Sequence, residues 1–293
     1  MRSIRKLYFQ NASGERRGLN GENGVYAMAL AGFGLTLAPD FSDLGRGFFF
    51  PVSDNREPQN ALAFTAVLTQ HPYDAHRSLV DWLSAAGRLT VVYNPSGQQE
   101  YFRDVTISYM QKGELNKAGW LELPCSFSCI TPWYLPVPTR LSVSTANEGE
   151  IKRYDYRYTD GLRYGSDDPG ALSATIAGAG HIPAALELTF QGAASNPRIR
   201  LSGNVSGKTF GECRLSTALE ESDTLIFSTR YEHAYVRRLR ADGTEEDLLD
   251  ALDLSRVPFF HIPVDEPCTL TITADAPIVG RASLLIYYYY RSV

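Results

Sequence analysis

Residues 125–134 read Cys125-Ser126-Phe127-Ser128-Cys129-Ile130-Thr131-Pro132-Trp133-Tyr134. On an extended strand, positions i, i+2 and i+4 share a face. Cys125, Phe127 and Cys129 therefore point one way, and Ser126 and Ser128 the other. The stretch reads as a half-buried strand whose inner face sets two small thiols around one ring. Pro132, Trp133 and Tyr134 then read as the hinge element that closes a first domain. A disulfide within the stretch is excluded. Cα atoms four apart on a strand lie about 13 Å apart at roughly 3.3 Å per residue, and a bridge needs less than about 7 Å. A zinc clip usually has two residues between its cysteines and a second pair elsewhere. Cys213 and Cys268 stand alone, with no histidine at ligand spacing. A catalytic thiol needs a histidine partner brought in by the fold, and the sequence leaves that open. Buried structural cysteine is the reading adopted.

Composition narrows the classes. The chain has 293 residues, enough for two ordinary domains. Hydrophobic residues at 44% and charged residues at 21% give a globular balance. Seventeen tyrosines and many Thr and Val lean towards β structure. The net charge of −5 does not advertise a phosphate-binding surface, so no nucleic-acid partner is expected. No run of about 18 uncharged apolar residues occurs, so no membrane span is expected. The basic start MRSIRKLYFQ lacks the apolar segment of a secretory leader. The glycosylation sequons at Asn11 and Asn204 therefore read as chance matches. Four cysteines are too sparse for a disulfide scaffold, and reduced thiols are expected.

Along the chain, Leu7–Phe9 and Val25–Met28 read as strands around a turn at Asn11–Glu15. Gly32-Phe33-Gly34 lacks the third glycine and helix of a dinucleotide loop and reads as a bend between strands. Gly45–Pro51 reads as strand, and Ser53–Pro58 as an exposed loop or hairpin tip. Ala61–Thr69 alternates and has at least one buried face. His71–Ala86 is the one good helix, with Asp74 as cap, a Leu79, Val80, Leu83 stripe, Trp82 beside it, and Gly87 closing it. Leu89–Tyr93, Tyr101–Met110 and Trp120–Cys129 complete the first unit. The prolines at 132, 136 and 138 mark the domain junction. Beyond them, strands are expected at 186–190, 198–202, 208–215, 224–228, 231–240, 259–263, 269–274 and 282–290, at sandwich spacing. Glu245–Leu254 reads as one or two helical turns.

Chemistry is scarce. His71 and His76 match no zinc signature, and the other three histidines are scattered. There is no nucleophile elbow, P-loop or zincin motif. The acidic clusters at 40–43, 167–168, 220–223 and 245–247 sit in turn-like contexts and read as solvated loops. Arg237, Arg238 and Arg240 read as an exposed strand face, with an anion-binding patch as the sharper alternative. Leu284–Tyr290 is so β-prone that it reads as a central or covered last strand. No catalytic, metal-binding or cofactor-binding residues are expected, and no ligand-binding residues can be named.

The order of several motifs resembles one family. Helix Ser78-Leu79-Val80-Asp81-Trp82-Leu83 is followed by strand Gly87–Val91, then Gly119-Trp120-Leu121-Glu122-Leu123, then Phe127–Tyr134. Later come His181–Leu188, Asn196-Pro197-Arg198-Ile199, Ser222–Thr229, Ala241-Asp242-Gly243 and Phe259–Pro263. This series resembles the siphophage distal tail (Dit-like) proteins over nearly the whole chain. Glu148–Gly180, long and rich in Tyr and Arg, departs from the pattern, as does Val264–Cys268.

The resemblance implies a mainly β chain in two domains. Residues 1–135 would be a β-rich ring-forming domain with one helix, and 136–293 a galectin-like β-sandwich. It implies a structural protein, not an enzyme, made in the bacterial host cytoplasm and placed in the virion tail. Six copies would form a ring that joins the tail tube to tail-tip or baseplate proteins. Cys125, Phe127, Cys129, Pro132, Trp133 and Tyr134 would form its structural junction. The alternative reading is a carbohydrate-binding module that touches host cell-wall glycans; nothing in the sequence recommends a third, a β-sandwich hydrolase.

Overall fold

The computed structural model describes residues 5–38, 40–52, 58–144 and 171–293. The expected loop at Ser53–Glu57, the Asp167–Asp168 cluster and most of the Glu148–Gly180 segment lie outside the described residues. The chain is mainly β and divides into two compact units, Met1–Leu135 with Tyr289–Val293, and Pro136–Tyr288. The last five residues, assigned on sequence to the second domain, thus pack with the first unit.

In the first unit, β1 (Lys6–Gln10), β2 (Arg16–Gly18), β3 (Val25–Ala31), β4 (Phe41–Gly45), β5 (Phe48–Pro51) and β6 (Ala61–Leu68) precede helix α1 (Pro72–Ser84). β7 (Leu89–Asn94), β8 (Tyr101–Met110), β9 (Leu121–Cys129) and β10 (Trp133–Arg140) follow. One sheet runs β2-β1-β7-β8-β9-β6-β3, and β4 and β5 form a separate two-stranded hairpin. Its core is built on the expected alternation. Cys125, Phe127 and Cys129 are buried, with Phe127 fully so. The Phe127 ring lies 5.1 Å from Phe9 and 5.4 Å from Phe64, and Phe9 and Phe64 are 5.9 Å apart. The opposite face is wet: Ser128 Oγ lies 2.7 Å from Ser108 Oγ.

Three local expectations need correction. Helix α1 begins at Pro72, with His71 as its N-cap in left-handed backbone and no side-chain cap. Asp74 sits in the first turn instead, where its charge faces the positive end of the helix dipole. Trp82 shares the buried face with Leu79 and Leu83, while Val80 is exposed. In 41–51 the turn falls at Gly45-Arg46-Gly47, all three at positive φ, so Gly45 ends one strand rather than opening another. The glycine bend at 32–34 has a steric cause: a Cβ on Gly32 (φ 82°) would lie 1.9 Å from the Ala61 carbonyl oxygen.

In the second unit, β11 (Ser142–Ser144), β12 (Ala171–Ile176), β13 (Ile182–Ser195), β14 (Arg198–Gly203), β15 (Thr209–Arg214) and β16 (Ala218–Leu219) come first. β17 (Thr224–Arg230), β18 (His233–Leu239), β19 (Glu245–Asp247), β20 (Cys268–Thr273) and β21 (Val279–Tyr290) complete it. One sheet has the order β19-β18-β17-β13-β21, with β10 beyond β21; the other runs β11-β12-β20-β14-β15. Phe260, 2% exposed, links them. Its ring is 5.7 Å from Phe227 on β17, and its Cβ lies only 2.4 Å from where a Cβ on Gly211 of β15 would sit. Two sheets closing on one apolar layer are consistent with a β-sandwich.

Here too the elements differ from expectation. Glu245–Leu254 holds the short strand β19 and one 3-10 turn at Leu249–Ala251, not an α-helix. Residues 259–263 make one bridge, Ala184 to Ile262, rather than a strand. Pro258 and Pro263 lack the N–H groups a longer ladder would use.

Candidate assembly site

Two features of the first unit stand out: a buried polar node at the end of β9, and an uncovered apolar surface around β3 and the hairpin. The node arises where the ladder on one edge of β8 passes from β9 to β10. β9 pairs with residues 105–110 of β8, and Tyr134 of β10 pairs with Phe102. Ile130-Thr131-Pro132 interrupts the ladder, and Pro132 can donate no hydrogen bond. Thr131 fills the gap. Its hydroxyl accepts from Asp104 N (3.0 Å), its carbonyl accepts from Arg103 Nε (2.9 Å), and Ile130 N donates to Asp104 O (2.8 Å).

The Asp104 side chain points inward and is 2% exposed. Its Oδ1 accepts from Thr90 Oγ1 at 2.7 Å and from the Tyr134 hydroxyl at 3.2 Å, and Arg88 donates to Oδ2. A carboxylate at this depth is sustainable only when its lone pairs are filled in this way. Next to it, Trp133 is fully buried, with Arg103 5.5 Å over its ring and Phe33 at 5.4 Å. Tyr134 contacts Tyr289 at 6.4 Å, and Tyr101 contacts Tyr290 at 5.4 Å.

The structure therefore brings Cys125, Phe127, Cys129 and Trp133 into one core cluster and sets Tyr134 on the Asp104 node. Pro132 is half-buried between them. The four cysteines are free thiols, all buried. Burial pushes Cys125 up to about 11, and also raises Cys129 against the opposing pull of Arg103. Among the described residues, no three His, Cys, Asp or Glu side chains are grouped to hold a metal ion. Sequence reasoning missed Asp104 and Thr131; only the lone acid in the strand Tyr101–Met110, next to Arg103, hinted at the first.

The uncovered surface is of a different kind. Among the described residues, β3 takes only β6 as a strand partner, and over Val25–Ala27 it is also bridged by Leu19–Gly21, with Ala27 N donating to Leu19 O (2.9 Å) and Gly21 N to Val25 O (2.7 Å). Tyr26 and Met28 project from β3, 44% and 55% exposed. The hairpin exposes Phe41, Leu44, Phe48, Phe49 and Phe50, each more than half accessible. Consecutive residues on a strand point to opposite faces, so Phe48, Phe49 and Phe50 leave both faces of the hairpin uncovered. The expected arginine patch, by contrast, is internally satisfied. Arg238 and Arg240 share Glu246, and Arg237 meets Glu245, across the β18–β19 pair.

Residues 6–130 match the family model of the distal tail protein, N-terminal domain. The first unit is a distal tail protein N-terminal domain. Together with the fold, this match supports a Dit-like phage tail component. The fold agrees along the whole length. A chain of the phage P2 baseplate in its activated conformation with calcium shares 12% identity and a TM-score of 0.65, covering 99% of this chain and 100% of that one. The corresponding strontium structure gives 14% identity and the same TM-score and coverage. The Dit protein of phage SPP1, described as a hub of the adsorption apparatus, shares 9% identity and a TM-score of 0.57 over 96% of this chain and 98% of that one. No curated protein sequence matches the chain.

Proposed function

We propose that the chain is a hub ring of the distal tail. Six copies of the first unit close a ring that joins the tail tube to tail-tip or baseplate proteins, and the second unit, a galectin-like sandwich, serves as its appended domain. The role is structural, without catalysis. Cys125, Phe127, Cys129, Pro132, Trp133 and Tyr134, with Asp104, form the junction at which one unit passes to the next.

The observation that carries this reading is the hairpin. A two-stranded hairpin is marginal in water on its own, and this one exposes five large apolar side chains. Soluble proteins rarely leave such a surface uncovered unless a partner covers it. Tyr26 and Met28 on β3 add a second exposed apolar pair that a neighbouring copy can cover. A ring of identical subunits needs a heterologous contact, one patch meeting a different patch, and the first unit presents two patches. The test is self-association. Phe49→Glu with Phe50→Glu places two charges on opposite faces of the hairpin. Sedimentation velocity of this variant should show a folded species of one 32.5 kDa chain where the parent sediments as a multimer. A variant that assembles as the parent does would remove the hairpin from the interface.

A further inference from the structure

The outward face of the sheet β11-β12-β20-β14-β15 in the second unit is unlike the rest of the molecule. Its inward positions are apolar and closed: Ile199, Leu201, Leu270, Ile272 and Cys213 are all fully buried. The alternate positions carry only hydroxyls and charges over the centre of the sheet. The register lines them up in rows, Ser173–Thr271–Arg200–Glu212 and Thr273–Arg198–Arg214, with Thr175–Thr269–Ser202 beside them. A hollow of about 330 Å³ lies over these rows, lined by Arg198, Arg200, Arg214, Glu212, Ser202 and two threonines.

The charges do not cancel. Arg198 Nη2 donates to Asp275 Oδ1 at 2.6 Å, and Arg214 Nε donates to Glu212 Oε1 at 2.6 Å. The hydrogen bond and charge of Arg214 hold the Glu212 carboxyl below its ordinary value, so it stays ionised. Arg200 is different. Its guanidinium donates only to the Thr209 hydroxyl, through Nε at 3.2 Å and Nη2 at 2.6 Å; among the described residues it makes no direct ion pair, and its charge acts on its cross-strand neighbour Glu212 without contact. Lys208 lies 5.5 Å over the ring of Phe210 at the edge of the same face. With Asp275, Glu212 and the Glu266 carboxylate near Lys208 set against Arg198, Arg200, Arg214 and Lys208, the face holds an excess of one positive charge on a chain whose net charge is −5. Local charge opposite to the whole is the pattern expected where an anion docks.

We propose that this face binds an anionic glycan, a sugar chain bearing carboxylate or phosphate groups. Arg200, with Arg198 beside it, grips the anionic group. The guanidinium fork matches carboxylate and phosphate oxygens in a bidentate fashion. The hydroxyls of Ser202, Thr271 and Thr273 meet the ring hydroxyls of the sugar, since each can both donate and accept. The hollow offers none of the large apolar anchors that carry a protein–protein contact. Its residues lie within one sheet, whose buried inner face holds them rigid. The site lies wholly in the second unit, so it stands whether or not the first unit forms rings.

The test is calorimetric titration of the full chain at low and raised salt. The probes are an oligogalacturonate, a phosphorylated oligomannose, a dextran of matched length and polyglutamate of matched charge. The proposal predicts binding of the oligogalacturonate, the phosphorylated oligomannose or both, weakened by salt, and none of dextran. Which of the two binds identifies the anionic group. Arg200→Ala should weaken the interaction about tenfold, the worth of one charge-assisted hydrogen bond. Thr271→Val should weaken it a few-fold, and both variants should melt as the parent does, because both side chains are accessible. Binding of neither anionic sugar, equal binding of dextran, equal binding of polyglutamate, or indifference to Arg200→Ala would each overturn the proposal.

Discussion

At the scale of the residue, the two thiols of β9 are a test of burial rather than of chemistry. Burial disfavours the thiolate, so Cys125 holds its proton up to about 11 in the folded chain, against 9.0 for the free group. A group whose folded pKa is raised contributes stability that is fully present below the unfolded value and lost as pH rises through the folded one. The parent should therefore lose stability between about pH 9 and pH 11. Cys125→Ala with Cys129→Ala should be about 2 kcal/mol less stable at pH 7, from the lost buried sulfurs, and should lose less on going to high pH. Urea unfolding at both pH values measures this; identical alkaline losses would show that the thiols do not carry the effect. Asp104 is the second residue-scale test. Asp104→Ala strips the acceptor from Thr90, Tyr134 and Arg88 at once. The expected cost is about 3 kcal/mol by chemical denaturation, because groups left unpaired in a core lose their partners without regaining water. A cost under 0.5 kcal/mol would mean that the node is not a structural centre.

At the scale of the element, steric demands decide where strands begin and end. Gly32→Ala should lower the melting temperature by several degrees, because its Cβ has no room against the Ala61 carbonyl and its backbone lies at positive φ. An unchanged melting temperature would show that β6 shifts freely there. The same scale explains what was legible. The alternation Cys125-Phe127-Cys129 gave the inner face of β9 directly, because period-two burial is local to the strand. The helix was legible from its apolar stripe, but not its start, since His71 in left-handed backbone has no sequence signature. β10 was hidden by Pro136 and Pro138, which read as a linker although a strand can carry proline where no ladder donor is needed. The hairpin turn was misplaced by a few residues because glycines flank it on both sides. The Asp104 node was illegible, since it depends on Thr131 lying beside a strand 27 positions earlier.

At the scale of the whole molecule, the proposed hub draws its assembly surfaces from the first unit and its ligand-binding sheet face from the second. The order of motifs along the chain carried the family resemblance, and the match over 6–130 places that resemblance in the first unit. Which surfaces remain uncovered could not be read from the sequence, because Phe48-Phe49-Phe50 would look the same in a core strand. Their exposure is what supports the proposed self-association. The most direct test of that claim is negative-stain electron microscopy of the purified chain, alone and with its tail-tip partner. The account predicts rings with sixfold symmetry. Particles that remain single 32.5 kDa chains under both conditions would contradict it.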